Sequence, residues 1–430
     1  MKRILQNKTF EKGTIRGNLL SLASGTIIAQ TFSVVFYPIL SRMFSPEDFG
    51  LLSLLSSIAA IITVIASGKY EEAIIIAKDE HEIINITFLA LFCSVLFCVF
   101  SYVGLHLFSR LLIPIINTPS LTPSLQNWLY LAPIISFLII IYNVFNEQCV
   151  KKAAFSSLAI NKITNSTSIN LSKFAFGSLK ISGGLIYGEL LGRGLSALSC
   201  IFHWLKQNRK NFRYLSFREM RNLARVYIDF PKFAVPDQLV NAFTGNLPVF
   251  FLSSYFGNQV LGYYAMAMMV LAIPMTFLGQ AIMDVLKSEA SRSFEKKGNC
   301  REIYFKALKK IIPVAIILSL SVFYFLPNIF TFVLGNKWQK TGEFIQILYP
   351  SMLLNFVSMI LMPVWIIAKK QKERLYWKLF YSLIMLIAVI LGVMSNNMLF
   401  AVGCISASFS IVYLTSIYFT WKYSKGSIAK

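Results

Sequence analysis

Long apolar runs recur along this chain from Gly17 to Trp421, and only short polar breaks separate them. A hydrocarbon core of roughly 30 Å takes about 20 apolar helical residues to cross. Twelve segments meet this requirement: 17–41, 49–68, 84–108, 128–149, 155–177, 183–204, 233–254, 260–284, 307–332, 344–368, 375–395 and 398–421. The sequence therefore predicts an all-α polytopic membrane protein of about 12 transmembrane helices.

Composition excludes a soluble particle, because 56% of the residues are hydrophobic, 14% are charged and the mean hydropathy is +0.62. The six cysteines show neither zinc spacing nor a disulfide framework, and the three histidines are scattered. We therefore expect no catalytic residues, no metal site and no cofactor.

Basic residues mark one face of the membrane. Thirty-three of the 41 lysines and arginines fall in alternate loops and the termini, and five fall in the opposite loops. The positive-inside rule then places both termini in the cytoplasm. The basic segment 206–232 is interpreted as a topology determinant that touches anionic lipid, and no nucleic-acid partner is expected.

Two helix–loop–helix corners, one between the first two predicted spans and one between the seventh and eighth, are similar in sequence at an offset of 212 residues. Leu-Ser-Arg-Met-Phe at 40–44 is followed by Gly50, and Leu-Ser-Ser-Tyr-Phe at 252–256 is followed by Gly262. Unless the match is chance, it predicts two parallel six-helix repeats, a known transporter architecture with substrate held between the halves. The predicted lobes are 1–205 and 233–430, joined by the basic linker 206–232.

Polar side chains inside the fifth span suggest a lined cavity. Lys162, Ser166 and Lys173 fall on one side of a helix at about 100° per residue. Intramembrane charges normally face a partner or a watery cavity, although lysines near span ends also snorkel to the interface. In the sixth span Glu189 and Arg193 are spaced for an intrahelical pair, with a ligand contact by Arg193 as the alternative.

Four further polar positions are candidates. Asp237 and Asn241 share one face of the proline-rich seventh span, which suits a proton or sodium site or an interfacial aspartate. Gln30 lies midway along the first span, where an interhelical hydrogen bond is the ordinary explanation. Arg42 is a charged residue in the first corner that the second corner lacks, since serine stands at the matching position. A surface salt bridge with Glu47 or Asp48 is its alternative role.

Several stretches together carry a family likeness: LSRMFSPEDFG at 40–50, KYEEAIIIA at 69–77, GLIYGELLG at 184–192, Phe230-Pro231, Asn246-Leu247-Pro248, Phe256-Gly257 with Gly262-Tyr263, Pro274, and LGNKW at 334–338. In this order they resemble, nearly end to end, the bacterial polysaccharide repeat-unit flippases of the Wzx type. That superfamily also contains lipid II flippases and multidrug cation exporters. Lys69 stands where arginine is more usual, which removes the bidentate geometry for a phosphate.

The resemblance implies a flippase, not an enzyme. It would move undecaprenyl-pyrophosphate-linked oligosaccharide from the cytoplasmic to the periplasmic leaflet of the bacterial inner membrane, for O-antigen or capsule synthesis. The residues implied in binding the pyrophosphate or sugar are Arg42, Lys162, Lys173, Arg193, Gln30 and Lys69. Asp237 and Asn241 would couple alternating access to a Na⁺ or H⁺ gradient, since no P-loop is present.

The implied partners are the lipid-linked oligosaccharide, the bilayer, a polysaccharide polymerase and a chain-length regulator, and we expect a monomer. Two other functions stay open. A multidrug cation antiporter of the same superfamily would need an acidic cavity, whereas the intramembrane charges here lean basic. A membrane-embedded polysaccharide polymerase would need a sizeable periplasmic loop or an acidic motif, and the stretch 109–127 has one arginine and no acid.

Overall fold

A computed structural model of the chain describes residues 15–112, 128–273, 275–309, 311–313 and 332–426, and within them every regular element is a helix. The first eight helices are α1 (Ile15–Met43), α2 (Pro46–Ala66), α3 (Tyr70–Ala73), α4 (Glu80–Leu112), α5 (Ala132–Lys151), α6 (Phe155–Ser178), α7 (Gly184–Asn208) and α8 (Phe217–Val226). The next six are α9 (Val235–Leu271), α10 (Gln280–Lys297), α11 (Gln339–Leu361), α12 (Pro363–Ile367), α13 (Gln371–Ser395) and α14 (Met398–Ser424). Residues 301–309 and 311–313 are also helical.

The predicted spans are recovered as helices. Nine helices within the described residues are long and apolar enough to cross a membrane, and one of these, the 48-residue run Phe230–Phe277, breaks at Gly257 (φ 82°) and so covers the seventh and eighth predicted spans. The fifth predicted span is α6, a 24-residue helix. It is not one of the nine, because its polar side chains lower its mean hydropathy. The ninth, 307–332, lies mostly outside the described residues, as does the predicted loop 109–127. The all-α polytopic fold class is confirmed.

Contacts divide the chain into two compact units. The first comprises the described residues within Met1–Phe36, Ile58–Ile116 and Gln126–Leu239, and the second those within Tyr37–Ser57, Asn117–Leu125 and Val240–Lys430. Helices α1, α2 and α9 therefore each contribute residues to both units. The predicted lobes 1–205 and 233–430 stay a prediction.

In the first unit, three glycines let α7 lie directly on α6. A Cβ atom on Gly188 would come within 2.5 Å of Lys173 Cα, and one on Gly192 within 2.4 Å of Ile169 Cα. Gly184 meets Phe176 in the same way at 3.1 Å. Small residues at four-residue spacing are what close helix packing in a membrane requires, and α6 and α7 make such a contact.

The predicted basic linker is part of the first unit. Within it, α8 buries Met220 and Leu223 and leaves its arginines exposed, which is the pattern of an amphipathic helix. A backbone carbonyl of the same helix, that of Ala224, accepts a hydrogen bond from the Tyr70 hydroxyl at 3.1 Å. The segment is thus a packed element rather than a free connection.

In the second unit, the two similar corners of the sequence pack against each other. A Cβ atom on Gly50 would lie 1.8 Å from the carbonyl oxygen of Asn258, and one on Gly262 would lie 1.7 Å from the carbonyl oxygen of Pro46. Each glycine therefore faces the backbone of the other corner. No side chain fits at either position, which explains why both copies carry glycine.

The Leu334–Trp338 motif completes this packing. Trp338 is fully buried, its indole Nε1 donates to the Ser41 carbonyl at 2.9 Å, and its ring meets Phe49 edge-on at 5.2 Å and Tyr263 at 6.3 Å. Lys337 Nζ donates to the carbonyl of Phe44. The motif thus satisfies backbone carbonyls that the end of α1 leaves without an intrahelical donor.

We expect Gly50→Ala to destabilise the protein by about 1–3 kcal/mol, because the added methyl group collides with backbone that has no rotamer to change. Gly403→Ala on α14 is the matched control, since no described atom lies within 4 Å of a Cβ atom there. The control is expected to be neutral or to gain roughly 0.5–1 kcal/mol of helix propensity. Thermal unfolding of the detergent-purified variants measures both, and equal melting temperatures would contradict the proposed contact.

Candidate functional site

Hydroxyl and amide groups line the contact between α1 and α6 in the first unit. The Ser166 hydroxyl donates to the Ala29 carbonyl at 2.7 Å and lies 2.8 Å from the Ser33 hydroxyl. Asn170 Nδ2 donates to Ser33 Oγ at 3.2 Å and to the Ser166 carbonyl at 2.8 Å. Close approach is allowed by Gly25, where a Cβ atom would lie 2.4 Å from Ala159 Cβ. We call the polar residues Thr26, Gln30, Ser33, Lys162, Ser166 and Asn170 the α1–α6 stripe.

Lys162 supplies the charge of the α1–α6 stripe. Its ammonium donates to Thr26 Oγ1 at 3.1 Å, its residue is half-buried, and no carboxylate of the described residues lies within ion-pair distance. Thr26, Gln30 and Ser33 fall within about 60° of one another around α1. Gln30 is half-buried and makes no hydrogen bond within the described part of the chain. Lys162 and Gln30 thus have hydrogen-bond donors that no described residue uses and that a ligand can engage.

A second group of charges, the charged triad of Lys173, Glu189 and Arg193, lies between α6 and α7. Lys173 Nζ is 2.5 Å from Glu189 Oε2, and Arg193 Nε is 2.6 Å from Glu189 Oε1. Glu189 is 5% exposed, so its charge is almost entirely neutralised by protein. Two cations share one carboxylate, and the triad keeps a net charge of +1. The predicted pair of Glu189 and Arg193 is confirmed, and Lys173 is its additional member.

The two cationic groups lie at different depths. Lys162 and Lys173 are eleven residues apart on one helix, which is about 16 Å along its axis at 1.5 Å per residue. Arg193 uses Nε for Glu189, so the terminal nitrogens of its half-buried guanidinium are not engaged by that carboxylate. An elongated anionic ligand can therefore meet positive charge at two levels of the first unit.

Lys69 lies in a buried polar cluster at the end of α2. Its backbone is left-handed (φ 59°), and its ammonium is 3.6 Å from Glu71 and 3.5 Å from Glu72. Gln238 Nε2 donates to Glu72 Oε1 at 2.7 Å. Glu71 is 2% exposed, and its Oε2 finds no hydrogen-bond partner among the described residues. The charge of Lys69 is thus directed to carboxylates of its own segment.

The remaining candidates are placed separately. Arg42 is exposed in the second unit, where Nη2 donates to the Phe332 carbonyl at 3.0 Å, and Asp48 is occupied by the backbone and hydroxyl of Ser45. Asp237 is half-buried and falls in the first unit, whereas Asn241 is exposed and falls in the second. A joint ion site of these two residues stays a prediction.

Sequence reasoning missed the contact of Lys173 with Glu189 and the burial of Glu71. The four-residue spacing of Glu189 and Arg193 was readable, whereas the pairing of Lys173 depends on how α6 and α7 are aligned. The buried carboxylate could have been suspected from two adjacent glutamates at the end of an apolar span. No group of three or more His, Cys, Asp or Glu side chains within the described residues is arranged to hold a metal ion.

Several known structures have the same fold as this chain. An inward-facing multidrug resistance transporter of the MATE family of the MOP superfamily superposes with a TM-score of 0.70 at 15% identity, covering 92% of this chain and 97% of that one. The lipid II flippase MurJ in its inward closed conformation gives 0.68 at 13% identity, covering 92% and 87%. A MOP superfamily transporter from Pyrococcus furiosus gives 0.62 at 14% identity, covering 96% of each chain. The chain has the helical membrane fold of these transporters.

The family follows from the sequence itself. Residues 39–343 match the family described as polysaccharide biosynthesis protein, and the chain belongs to that family. None of the curated proteins compared with it is similar enough in sequence to count as a match. The resemblance predicted from the ordered motifs is thereby confirmed for the family and for the superfamily fold.

The charged triad predicts which of its single substitutions destabilises the protein most. We expect Glu189→Gln to be the most destabilising single change, by about 3–5 kcal/mol, because it leaves two cations without an anion. Lys173→Met should cost less, since the pair of Glu189 and Arg193 stays neutral.

Melting temperatures of the purified variants in one detergent test this order. Lys206→Met, at an exposed position in the last turn of α7, controls for loss of a lysine. An equal or larger loss in Lys173→Met than in Glu189→Gln would contradict the shared-carboxylate arrangement.

Proposed function

We propose that the protein is a flippase that moves undecaprenyl-pyrophosphate-linked oligosaccharide repeat units across the bacterial inner membrane, from the cytoplasmic to the periplasmic leaflet. The observation that carries the proposal is Lys162, a half-buried cation on the fifth predicted span, hydrogen-bonded to a hydroxyl and flanked by further polar groups. Family membership and the transporter fold support it. O-antigen or capsule synthesis is the process that such a transport step would serve.

The physical requirement for transport fits the polarity of the α1–α6 stripe. A sugar pyrophosphate in hydrocarbon would strand charges and hydroxyls without partners, at several kcal/mol for each group. Hydroxyl and amide groups replace the water of the sugar, and Lys162 together with the net positive charged triad compensates the pyrophosphate. The polyprenyl chain needs no such site, because it stays in lipid.

The charge of the described intramembrane residues also separates the alternatives. A site for cationic drugs would need more carboxylates than cations, whereas between α6 and α7 two cations, Lys173 and Arg193, share the one carboxylate of Glu189. The fold of a multidrug transporter is shared with proteins of other substrates and does not decide the cargo. We infer that the cargo is anionic and that the protein acts as a transporter rather than as a polymerase.

Replacement of Lys162 tests the proposal. We expect Lys162→Ala to lower transport roughly tenfold or more, because a hydrogen bond to a charged group contributes about 1.5–3 kcal/mol. Lys162→Arg should retain part of the activity, and the exposed Lys206→Ala should retain all of it. The measurement is the pool of undecaprenyl-pyrophosphate-linked repeat units and the surface polysaccharide in a deletion strain carrying each variant.

Equal polymer in Lys162→Ala and wild type, at equal protein levels, would exclude the role of Lys162. Unchanged saccharide pools in the deletion strain itself, together with sensitivity to cationic drugs, would exclude the flippase and favour the antiporter.

We further propose that a H⁺ or Na⁺ gradient drives transport through Asp237 and Asn241. Asp237→Asn is expected to abolish the response of transport to an imposed gradient in proteoliposomes, because a neutral amide neither releases a proton nor compensates a cation. Asp229→Asn, at an exposed position just before this helix, is the control. A gradient response that survives in Asp237→Asn would assign coupling to other groups.

A further inference from the structure

A basic cavity opens in the second unit at the predicted cytoplasmic ends of its helices. Its volume is about 1100 Å³. Three parts of the chain form its walls: the last turns of α10, the turn after α12 and the end of α14. The polar residues that line it are Ser291, Glu295, Lys369, Lys370, Lys422 and Lys425.

The charge of this lysine cavity is only partly compensated. Lys370 Nζ lies 2.7 Å from Glu373, and Lys425 Nζ stacks over the Trp421 ring at 3.6 Å. Lys369 and Lys422 are exposed and form no ion pair within the described residues. Four lysines against Glu295 give the lining a formal charge of +3, and Glu373 of the neighbouring groove, which pairs with Lys370, lowers it to +2.

An apolar groove of about 490 Å³ adjoins the lysine cavity. Tyr423 lines both, so the two adjoin at this side chain. The aromatic residues of the groove are Trp365, Tyr376, Trp377, Phe380, Phe419 and Tyr423, and Glu373 and Thr415 complete its lining. Tyr376 is 59% exposed, which leaves the groove open along one side. A charged cavity beside an aromatic groove fits a molecule with an anionic head and an apolar chain.

We propose that the lysine cavity and the aromatic groove bind the pyrophosphate and the first isoprenoid units of a polyprenyl pyrophosphate lipid. The site would be a loading site in the second unit, whereas the α1–α6 stripe belongs to the first. This inference rests on the proposed function, because it names where that substrate is captured. The pyrophosphate of such a lipid carries at least two negative charges, two in the sugar-linked diester and more in the monoester, and so fits the +2 of the site, whereas a phosphatidylglycerol headgroup carries one.

Binding by the purified full-length protein tests the inference. Undecaprenyl pyrophosphate is titrated into nanodiscs of neutral lipid that hold the protein, and tryptophan fluorescence reports occupancy because Trp365 and Trp377 line the groove. Lys369→Gln with Lys422→Gln should weaken binding on the order of tenfold, since two charged contacts are lost. The matched control is Lys287→Gln with Lys296→Gln, two exposed lysines of α10 outside the lining, and should bind as wild type does.

A second variant distinguishes binding of the pyrophosphate head from binding of the isoprenoid tail. Tyr376→Ala should weaken binding of undecaprenyl pyrophosphate but leave binding of inorganic pyrophosphate unchanged, because it alters only the groove. The double lysine variant should weaken both probes. Equal losses of undecaprenyl pyrophosphate binding in the double variant and the α10 control would overturn the site.

Competition identifies the occupant. Phosphatidylglycerol included in the nanodiscs should leave undecaprenyl pyrophosphate binding unchanged, and full competition by it would overturn the proposal in favour of a general anionic lipid. The assay needs no transport, so the two proposals fail separately. Specific binding by a protein that does not transport would exclude the flippase and keep the site. Normal transport by the double lysine variant, although it no longer binds undecaprenyl pyrophosphate, would exclude the loading role of the site and keep the flippase.

Discussion

Hydrocarbon offers no water to a charge or to a backbone amide, and this constraint explains most of what the structure contains. Backbone groups are satisfied within helices, which is why every regular element described is helical. Charges are satisfied in one of two ways. Glu189 is enclosed between Lys173 and Arg193, and this pairing makes the close contact of α6 and α7 electrostatically acceptable. Lys162 has a hydroxyl instead, which leaves its charge for a ligand.

The same helix contact shows how packing and function depend on each other. Gly188 brings α7 against the backbone of α6 at Lys173, so the lysine side chain reaches Glu189 on the neighbouring helix. A larger residue at Gly188 would separate the helices and leave three charges in an apolar surrounding. The positive charge that the proposed function requires is therefore held in place by a residue with no side chain.

Glycine has an equivalent role in the second unit, at the corners that resemble each other in sequence. Gly50 and Gly262 each meet the backbone of the other corner, and Trp338 fills the space beside them. The offset of 212 residues predicted a repeated structure. It did not predict that the two corners touch, because a repeat specifies similar local conformations and not their mutual packing.

Local contacts could be predicted where neighbours lie on one helix. The pair of Glu189 and Arg193 follows from a period of 3.6 residues and is present. Of the predicted stripe, Lys162 and Ser166 contact α1, whereas Lys173 pairs with Glu189 of α7. Prediction was incomplete where two distant segments meet. Ser33 reaches Ser166 across 133 residues, Gln238 reaches Glu72 across 166, and the lysine cavity gathers residues from three separate helix ends. None of these pairs shares a local pattern.

The sequence by itself determined the class of the protein, its spans and its family, because hydropathy, periodicity and ordered motifs are properties of local stretches that the bilayer acts on directly. Tertiary structure decided which charges are neutralised and which are available. Lys162 and Lys173 are two lysines of one predicted span, yet one meets a threonine hydroxyl of α1 and the other a buried carboxylate of α7. The physical reason is that the strength of an ion pair depends on distances of a few ångströms between helices, which only packing sets.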